Sequence, residues 1–347
     1  MIKDSAPDTM AAKYGWHSYQ MMPIESGLIN HTYKVVTPSG KFILQQVNTN
    51  VFKQPLVIDA NMRLLKHQLK TSHPDYLFVA PIAGMDANTL YEVNSQYFRA
   101  FEFIEGSHTM STVNTPEQAF EAAKAFATFT AVCNGMDATA LQETLPNFHN
   151  LPLRYQQFEA ALHSANEERL TTCKTLIEDL QSQEAIVTIY ETFIAHPDAL
   201  KRVTHHDTKI SNVLFNDAHK ALCVIDLDTV MPGYFISDIG DMMRTYVCPV
   251  SEEESDLSKI IVRKDYLQAI QEGYYSHMEQ HLTDFEKAHF FFAGEVLIYM
   301  QALRFCTDYL QNDVYYPIKY PHHNLVRATN QMQLLLALQQ TLANSNY

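Results

Sequence analysis

The pattern of apolar residues changes near Gly106, and this change constrains the fold more than any other feature of the sequence. Before it, the β-prone runs His31–Thr37 and 41–47 flank the turn residues 38–40, which predicts a hairpin. After it, apolar residues recur at helical spacing over long segments. The sequence therefore predicts a small β-rich part followed by a larger, mainly helical part.

Further elements complete this map. A helix is predicted over about 56–70, and a second hairpin joins 89–93 to 96–104 through a turn at 94–95. Thr115 and Thr283 each begin a capping motif that starts a helix. In the helical part the predicted helices cover 115–133, 152–165, 167–195, 256–281, 284–306 and 323–343. One β island, 212–215 with 221–227, lies among these helices.

Composition and charge narrow the class of protein. The 347 residues are 46% hydrophobic and 18% charged, which is typical of a globular protein. The net charge of −14 argues against a nucleic-acid partner, because binding to phosphate backbones needs a basic surface. The N-terminus has no apolar stretch of signal-peptide length, and Glu295 interrupts the most apolar segment, 290–300. We therefore expect a cytoplasmic protein without a membrane span, whose five scattered cysteines are reduced core thiols.

The β island and the loop before it carry the pattern that points most clearly to chemistry. His205, Asp207, Lys209 and Asn212 precede one strand, and Asp226 ends the next. Phosphoryl transfer explains this spacing, because one carboxylate must orient the attacking hydroxyl while an amide oxygen and a second carboxylate bind Mg²⁺. Either half of the pattern alone is common in surface turns, whereas the two together are rare. We therefore predict that Asp207, Asn212 and Asp226 converge on one magnesium ion, with Lys209 facing the transferred group.

This stretch resembles the catalytic loop and the metal-binding segment of the protein-kinase-like superfamily. The residues around it are most similar to the aminoglycoside phosphotransferase and choline kinase branch. Within that branch, segments 225–233, 304–310 and 320–327 look closest to the N-acetylhexosamine 1-kinases. The resemblance extends over most of the chain, from about residue 27 to residue 327.

The resemblance implies a bilobal α+β fold of the protein-kinase-like type. It places a β-rich N-lobe at 1–104 and a mainly helical C-lobe at 105–347, and it implies ATP and Mg²⁺ as cofactors. The implied roles are catalytic for Asp207 and Lys209, metal-binding for Asn212 and Asp226, and bracing of the catalytic loop for Asp238.

On the nucleotide side the resemblance is less complete. Gly27 lies where a nucleotide-covering loop belongs, and Gln45 occupies the place where most relatives have a phosphate-binding lysine. The helix that follows also lacks the glutamate that would pair with such a lysine. Because a neutral amide cannot replace that charge, magnesium, backbone amides or another cation must stabilise the phosphates. The residues whose backbone is expected to meet adenine are Phe101, Glu102, Phe103 and Ile104.

The resemblance implies phosphoryl transfer to the C1 hydroxyl of a free sugar, with N-acetylglucosamine or N-acetylgalactosamine preferred. Two alternatives stay open: a kinase of another small alcohol, such as choline, homoserine or an aminoglycoside, and a non-catalytic pseudokinase. Arg304 alone is explained as well by an i, i+4 pair with Asp308. The residues expected to contact the acceptor are His31, Asp228, Arg304 and Tyr315.

Overall fold

The computed structural model describes residues 6–24 and 29–344, so Gly27 and its predicted role lie outside the described residues. The strands are β1 (Gln20–Ile24), β2 (His31–Thr37), β3 (Gly40–Val47), β4 (Tyr91–Val93), β5 (Gln96–Glu102), β6 (Arg202–Thr204), β7 (Val213–Phe215), β8 (Ala221–Val224) and β9 (Met231–Gly233). The helices before β6 are α1 (Ala6–Lys13), α2 (Pro55–Ser72), α3 (Pro116–Val132), α4 (Leu151–Ser164), α5 (Glu167–Thr172), α6 (Lys174–Ser182) and α7 (Ala185–Ala195). The helices after it are α8 (Phe235–Tyr246), α9 (Lys264–Met278), α10 (Asp284–Ala288), α11 (Phe292–Leu310) and α12 (His323–Ala343).

The N-lobe, formed by β1 to β5 with α1 and α2, contains one antiparallel sheet in the order β1-β2-β3-β5-β4. Both predicted hairpins are present, and Asn94 and Ser95 have the positive φ angles, 52° and 62°, that a tight hairpin turn uses. Because side chains alternate along a strand, Leu44 packs toward Trp16 and α1, whereas Val47 joins the large core on the opposite face. The second face of the sheet is therefore turned toward the rest of the molecule.

The C-lobe, from α3 onward, is mainly helical. Helix α11 packs against α12, α8 and α4, and α3 packs against α9, so that their apolar faces form one continuous core. Two short sheets, β6 with β9 and β7 with β8, accompany these helices. Across the ranges 6–24 and 29–344, no helix is long and apolar enough to cross a membrane. The α+β arrangement of a small sheet and a larger helical lobe is confirmed, while the exact boundary after residue 104 stays a prediction.

Three predicted helices are shorter than expected. Segment 167–195 forms three helices, α5, α6 and α7, instead of one straight helix of about 43 Å. After the breaks, the three pieces pack against α11, α12 and α4 respectively. Segment 256–281 becomes helical only at α9, since Asp256 caps a separate 3-10 turn, and 284–306 is interrupted between α10 and α11. The capping motif at Thr283 is confirmed, with both of its reciprocal hydrogen bonds.

Several elements have no counterpart among the sequence predictions. Strands β6 and β9 have three residues each, too few to show a periodic pattern. Helix α8 buries Asp238 and Asp241 together with its apolar residues. The helix therefore lacks the polar, solvent-facing side by which an amphipathic helix is found in a sequence. Helix α1 and strand β1 were also not predicted. Of these elements, α8, β6 and β9 determine the geometry of the candidate site.

Candidate active site

The catalytic loop, residues 205–212, connects β6 to β7 and ends in a 3-10 turn. His206 has φ of 67°, so the chain turns sharply just before Asp207. The Asp207 N–H donates to His205 Nδ1 at 3.4 Å, and His205 Nε2 donates to the Ile225 carbonyl at 3.0 Å. The buried His205 ring therefore ties the loop to the segment that follows β8.

Helix α8 braces the catalytic loop with two buried carboxylates. Asp238 accepts hydrogen bonds from the N–H groups of His205 and His206 at 3.1 and 2.7 Å. Asp241 accepts one from the Thr208 N–H at 2.8 Å. Burial raises the pKa of Asp238 to about 7, and its two N–H partners oppose this rise. The bracing role predicted for Asp238 is confirmed, and Asp241 shares it.

Around Asp207 the predicted catalytic groups lie close together. Lys209 Nζ is 3.2 Å from an Asp207 carboxylate oxygen, and Asn212 Nδ2 donates to the Asp207 carbonyl at 2.9 Å. The Asn212 carbonyl in turn accepts from the Ile225 N–H at 2.8 Å, which joins the end of the loop to the returning strand. Burial disfavours the Lys209 ammonium, but the charges of Asp207 and Asp241 outweigh this and raise its pKa. Lys209 therefore stays a cation beside Asp207.

Asp226 lies just beyond β8, not on the strand as predicted, and starts a 3-10 turn with a left-handed φ of 59°. Burial raises its pKa to about 7, and the charges of Asp228 and Asp207 add to this effect, while Arg99 and Lys209 oppose it. Carboxylates tolerate a left-handed backbone better than most side chains, yet such positions often mark functional sites. The structure thus concentrates negative charge at one corner beside the catalytic loop.

The donor set at this corner fits a magnesium ion that is partly held by phosphates. The repulsion among the carboxylates, which raises the pKa of Asp226, is the kind that a divalent cation relieves. Asn212 uses its amide nitrogen for a bond within the loop, so its amide oxygen is the atom that would face the ion. In the described part of the chain, no three His, Cys, Asp or Glu side chains form a metal site by themselves. Mg²⁺ commonly takes only one or two protein carboxylates and keeps water and phosphate oxygens as its other ligands.

Gln45, where relatives have lysine, is in contact with a cation from the neighbouring strand. Arg99 is its partner across β3 and β5, and Arg99 Nε and a terminal nitrogen donate to Gln45 Oε1 at 3.2 and 2.9 Å. The same guanidinium lies 2.6 Å from an Asp228 oxygen. Asn30 donates to the other Asp228 oxygen at 2.9 Å. Asp228 therefore contacts N-lobe side chains, and these contacts do not support its predicted role at the acceptor.

The helix after β3 supplies no carboxylate to this corner. Asp59, the acidic residue of α2, is 3.0 Å from Arg63 Nε and accepts a hydrogen bond from Thr89 at 2.5 Å. The residue of α2 that faces Arg99 is Met62, whose sulfur lies 4.0 Å from a guanidinium nitrogen. As the sequence indicated, α2 therefore places no glutamate beside Gln45 and Arg99.

The segment predicted to meet adenine connects the two lobes. Phe101 and Glu102 are the last residues of β5, and Phe101 pairs with Ile43 across the sheet. The Phe103 N–H already donates to the Lys41 carbonyl at 3.1 Å. The Ile104 carbonyl accepts from the Ser107 N–H and hydroxyl at 3.3 and 2.6 Å, which turns the chain into the C-lobe. Adenine recognition by the other backbone groups of this segment stays a prediction.

On the acceptor side, Arg304 of α11 is surrounded by aromatic rings. Its guanidinium carbon lies 5.5 to 5.9 Å from the ring centroids of Phe148, Tyr315 and Tyr316. Its hydrogen bond, at 3.3 Å, goes to the neutral side chain of Gln301. No ion pair among the described residues includes Arg304. The cation is therefore held by aromatic faces rather than by a carboxylate.

The pairing of Arg304 with Asp308, left open by the sequence, is not formed. Asp308 instead accepts hydrogen bonds from the N–H groups of Tyr315 and Tyr316 at 2.8 and 2.9 Å. It also accepts one from Asn324 Nδ2 at 2.9 Å. Asp308 thus fixes the turn that presents the two tyrosines to Arg304, and Tyr315 remains 69% exposed.

A chain of ring contacts links this cluster to the catalytic loop. The Phe148 ring, which faces Arg304, stacks on His149 with centroids 4.5 Å apart, and His149 lies 5.4 Å from His206. Burial lowers the pKa of His149, and the positive charge of Arg304 lowers it further. Arg154 lies close enough to Arg304 for the two charges to interact, and its Nε is buried with no hydrogen-bond partner among the described residues.

Residues 20–274 match the phosphotransferase enzyme family known as APH. The chain belongs to this family. Among solved structures, a microcompartment-associated aminopropanol kinase superimposes with a TM-score of 0.65 at 14% identity, covering 96% of both chains. A spectinomycin phosphotransferase, in complex with ADP and spectinomycin, gives 0.61 at 13% identity, covering 96% of this chain and 97% of that one. Choline kinase from Cryptosporidium parvum gives 0.56 at 13% identity, covering 93% and 90%.

At these identities the solved structures establish the fold of this phosphotransferase and not its acceptor. They confirm the bilobal, kinase-like architecture that the resemblance implied. The family match, and not these structures, supports the aminoglycoside phosphotransferase assignment, while aminoglycoside phosphotransferases and a choline kinase are among the structural neighbours. The roles of the individual site residues stay predictions, and the structure gives the surroundings of those that lie within 6–24 and 29–344.

The structure separates the predicted site residues of this phosphotransferase into groups. Asp207, Lys209, Asn212 and Asp226 come together beside the catalytic loop. His31 is exposed at the start of β2, and among the described residues no hydrogen bond or ion pair joins it to Arg304. Two cavities, of about 290 Å³ between α6 and α12 and about 200 Å³ behind His206, contain none of the predicted site residues.

Sequence reasoning missed Arg99, Asn30 and Arg154. Arg99 lies 54 residues from Gln45, and only the pairing of β3 with β5 brings them together. Asn30 reaches Asp228 over 198 residues of sequence. The available signal for Arg99 was its position in the middle of strand β5 between Phe98 and Ala100, because buried charges are rarely placed without a partner.

Proposed function

We propose that this phosphotransferase transfers the terminal phosphoryl group of ATP to the C1 hydroxyl of a free sugar. The preferred acceptor is an N-acetylhexosamine, either N-acetylglucosamine or N-acetylgalactosamine, and the product is the sugar 1-phosphate. ATP is supported by the family and by neighbours solved with ADP or AMP. When bound at Asn212 and Asp226, Mg²⁺ would shield the phosphate charge.

The residues of the catalytic loop have distinct tasks in this reaction. Asp207 orients the acceptor hydroxyl toward the phosphorus and takes its proton as the new bond forms. Lys209, 3.2 Å from the Asp207 carboxylate, places a positive charge where the phosphoryl group passes. The N–H groups held by Asp238 and Asp241 keep the loop in one geometry, so that no rearrangement is needed during the reaction.

The observation that carries the choice of acceptor is the ring cluster around Arg304. Its three rings form the kind of cage that would bind a quaternary ammonium ion, but a cation of the protein itself already occupies it. Arg154 adds positive charge nearby, whereas the charge of the partly buried Arg244 is offset by Asp241 and Glu252. Such surroundings repel choline and aminoglycosides and suit neutral hydroxyl and acetamide oxygens.

The test is consumption of ATP across a panel of acceptors. We expect turnover with N-acetylglucosamine or N-acetylgalactosamine that exceeds the turnover with choline, homoserine, aminopropanol and kanamycin by at least about 100-fold in kcat/KM. A preference for a cationic alcohol would overturn the sugar assignment while leaving a kinase. If no acceptor on the panel increases ATP consumption, the pseudokinase alternative, which the glutamine at position 45 keeps open, would be favoured.

A further inference from the structure

The cation missing from β3 has a counterpart on β5. Gln45 and Arg99 are direct partners in the β3–β5 register, so both side chains leave the same face of the sheet. That face also carries Val47, which packs into the core shared with the C-lobe. The Arg99 guanidinium therefore occupies the same side of the sheet from which a lysine at position 45 would extend.

The partners of Arg99 are those of a positioned guanidinium. Gln45 Oε1 receives two of its N–H groups, and this arrangement fixes the plane of the group. The Asp228 carboxylate, 2.6 Å away, supplies a counter-charge on the C-lobe side. The remaining terminal nitrogen lies next to the Met62 sulfur at 4.0 Å, which is a weak acceptor. Part of the donor capacity of Arg99 is thus left unused by the protein.

Burying the ion pair of Arg99 and Asp228 costs desolvation free energy, which the attraction between the two charges often does not recover. Arg99 is 3% exposed and Asp228 is 1% exposed, and a buried ion pair often contributes less stability than apolar side chains would. Asp228 is two residues from Asp226, and the positive charge of Arg99 acts on Asp226 as well. The guanidinium therefore lies beside the corner where the metal and the phosphates are expected.

We propose that Arg99 supplies the positive charge for the α- and β-phosphates of the nucleotide, in place of the lysine that Gln45 replaces. Asp228 takes the part of the missing helix glutamate, and Gln45 holds the guanidinium plane. A guanidinium suits this task because it stays charged when buried and presents several donors to phosphate oxygens. This inference rests on the proposed use of ATP, and it deepens that proposal by naming a phosphate-binding residue that the family pattern does not predict.

The experiment is equilibrium binding of ADP, AMP and adenosine at fixed Mg²⁺, measured by calorimetry. For Arg99→Gln we expect ADP to bind about 10- to 100-fold more weakly than to the wild type, with adenosine affinity changed less than about threefold. Arg63→Gln is the matched control, since Arg63 is an exposed N-lobe arginine, and it should leave both affinities unchanged.

If Arg99→Gln alone folds poorly, a double variant that moves the positive charge from β5 back to β3 still tests the proposal. In the double variant Gln45→Lys with Arg99→Gln, a lysine returns to β3 opposite Asp228, and ADP affinity should recover to within about fivefold of wild type. Equal losses for ADP and adenosine, or no loss in a folded Arg99→Gln variant, would show that the arginine only joins the lobes. That result would leave ATP use intact, whereas a wild-type protein that binds none of the three ligands would overturn the proposed function as well.

Discussion

Asp207 lies in a loop whose first four backbone N–H groups, from residue 205 to residue 208, donate to side chains of α8 or to the His205 ring. Its carboxylate makes one ion pair, with Lys209, and is 18% exposed, so substrate can approach it. The loop geometry and the adjacent carboxylate at position 226 support the proposal that the phosphoryl acceptor is oriented here. The proposed chemistry therefore depends on the side chain of this one residue.

We predict that Asp207→Asn lowers kcat by roughly 10³-fold, because the amide can no longer take the proton of the acceptor. The side chain keeps its shape, so the melting temperature should change by less than about 3 °C. Asp217→Asn, in the exposed turn between β7 and β8, is the matched control and should keep full activity. Retention of more than a tenth of kcat in Asp207→Asn would contradict the assigned role.

At the acceptor, Arg304→Gln removes the one cation that the aromatic cluster holds. We expect KM for the sugar to rise about 10-fold or more, since a charge-assisted hydrogen bond to the acceptor is lost, while KM for ATP stays the same. Steady-state kinetics with each substrate varied separately will show this. An equal rise in both KM values would mean that Arg304 supports the structure of the site rather than the acceptor.

At the scale of elements, the catalytic loop and the segment before α4 meet through two histidines, the buried His206 and the partly buried His149. His206 is 5% exposed and contacts His149, and Gly233 is required beside it because a Cβ there would lie 2.4 Å from the His206 ring. Burial lowers the pKa of His206 from 6.5 to about 4 and lowers that of His149 too. Both rings are therefore neutral in the folded protein near pH 7.

The lowered pKa of His206 predicts that the folded protein loses stability in acid. The unfolded chain binds a proton at His206 below pH 6.5, whereas the folded chain does so only near pH 4. The contribution of the neutral His206 to the free energy of unfolding is therefore complete above pH 6.5 and is lost as the pH falls toward 4. At pH 5 the loss from this histidine is roughly 2 kcal/mol. His206→Asn, which tolerates the left-handed backbone, should lose less stability than wild type between pH 7.5 and pH 5 in urea titrations. Parallel pH curves for the two proteins would disprove this explanation.

The elements that the sequence predicted best are those with local signals. The hairpins turn at 38–40 and 94–95 because their turn residues demand it, and Thr115 and Thr283 begin helices through their own side chains. The break of 167–195 into three helices depends on which helix each piece packs against, and no local pattern records that. The same holds for Arg99 and Asp228, whose pairing exists only once β3, β5 and the turn after β8 have assembled.

At the scale of the whole molecule, the two lobes are joined by polar contacts at the active site. Arg99 and Asn30 reach from the N-lobe to Asp228, and Asn61 of α2 donates to the carbonyls of Gln142 and Val230 at 2.8 and 3.2 Å. The lobes also share an apolar core, because Val47, Ile58 and Leu65 of the N-lobe belong to the same cluster as the C-lobe helices. A ligand that contacts both lobes should therefore stabilise the whole chain.

We predict that ATP with Mg²⁺ at about 100 times its Kd stabilises the protein by about 2.7 kcal/mol. For a chain of this size the melting temperature should rise by several degrees, and the addition of N-acetylglucosamine or N-acetylgalactosamine to ADP should raise it further. Thermal denaturation followed by fluorescence measures both shifts, with choline as the control acceptor. A larger shift with choline than with either sugar would contradict the acceptor assignment.

Phosphoryl transfer at Asp207 to the anomeric oxygen of a sugar is the reaction that we propose for this protein. The most direct measurement is ³¹P–¹H correlation NMR of the product formed from ATP, Mg²⁺ and an N-acetylhexosamine by wild type and by Asp207→Asn. We expect a new phosphate resonance coupled to the anomeric proton, formed by the wild type and nearly absent with the variant. A phosphate on another hydroxyl, or equal product from both proteins, would contradict it.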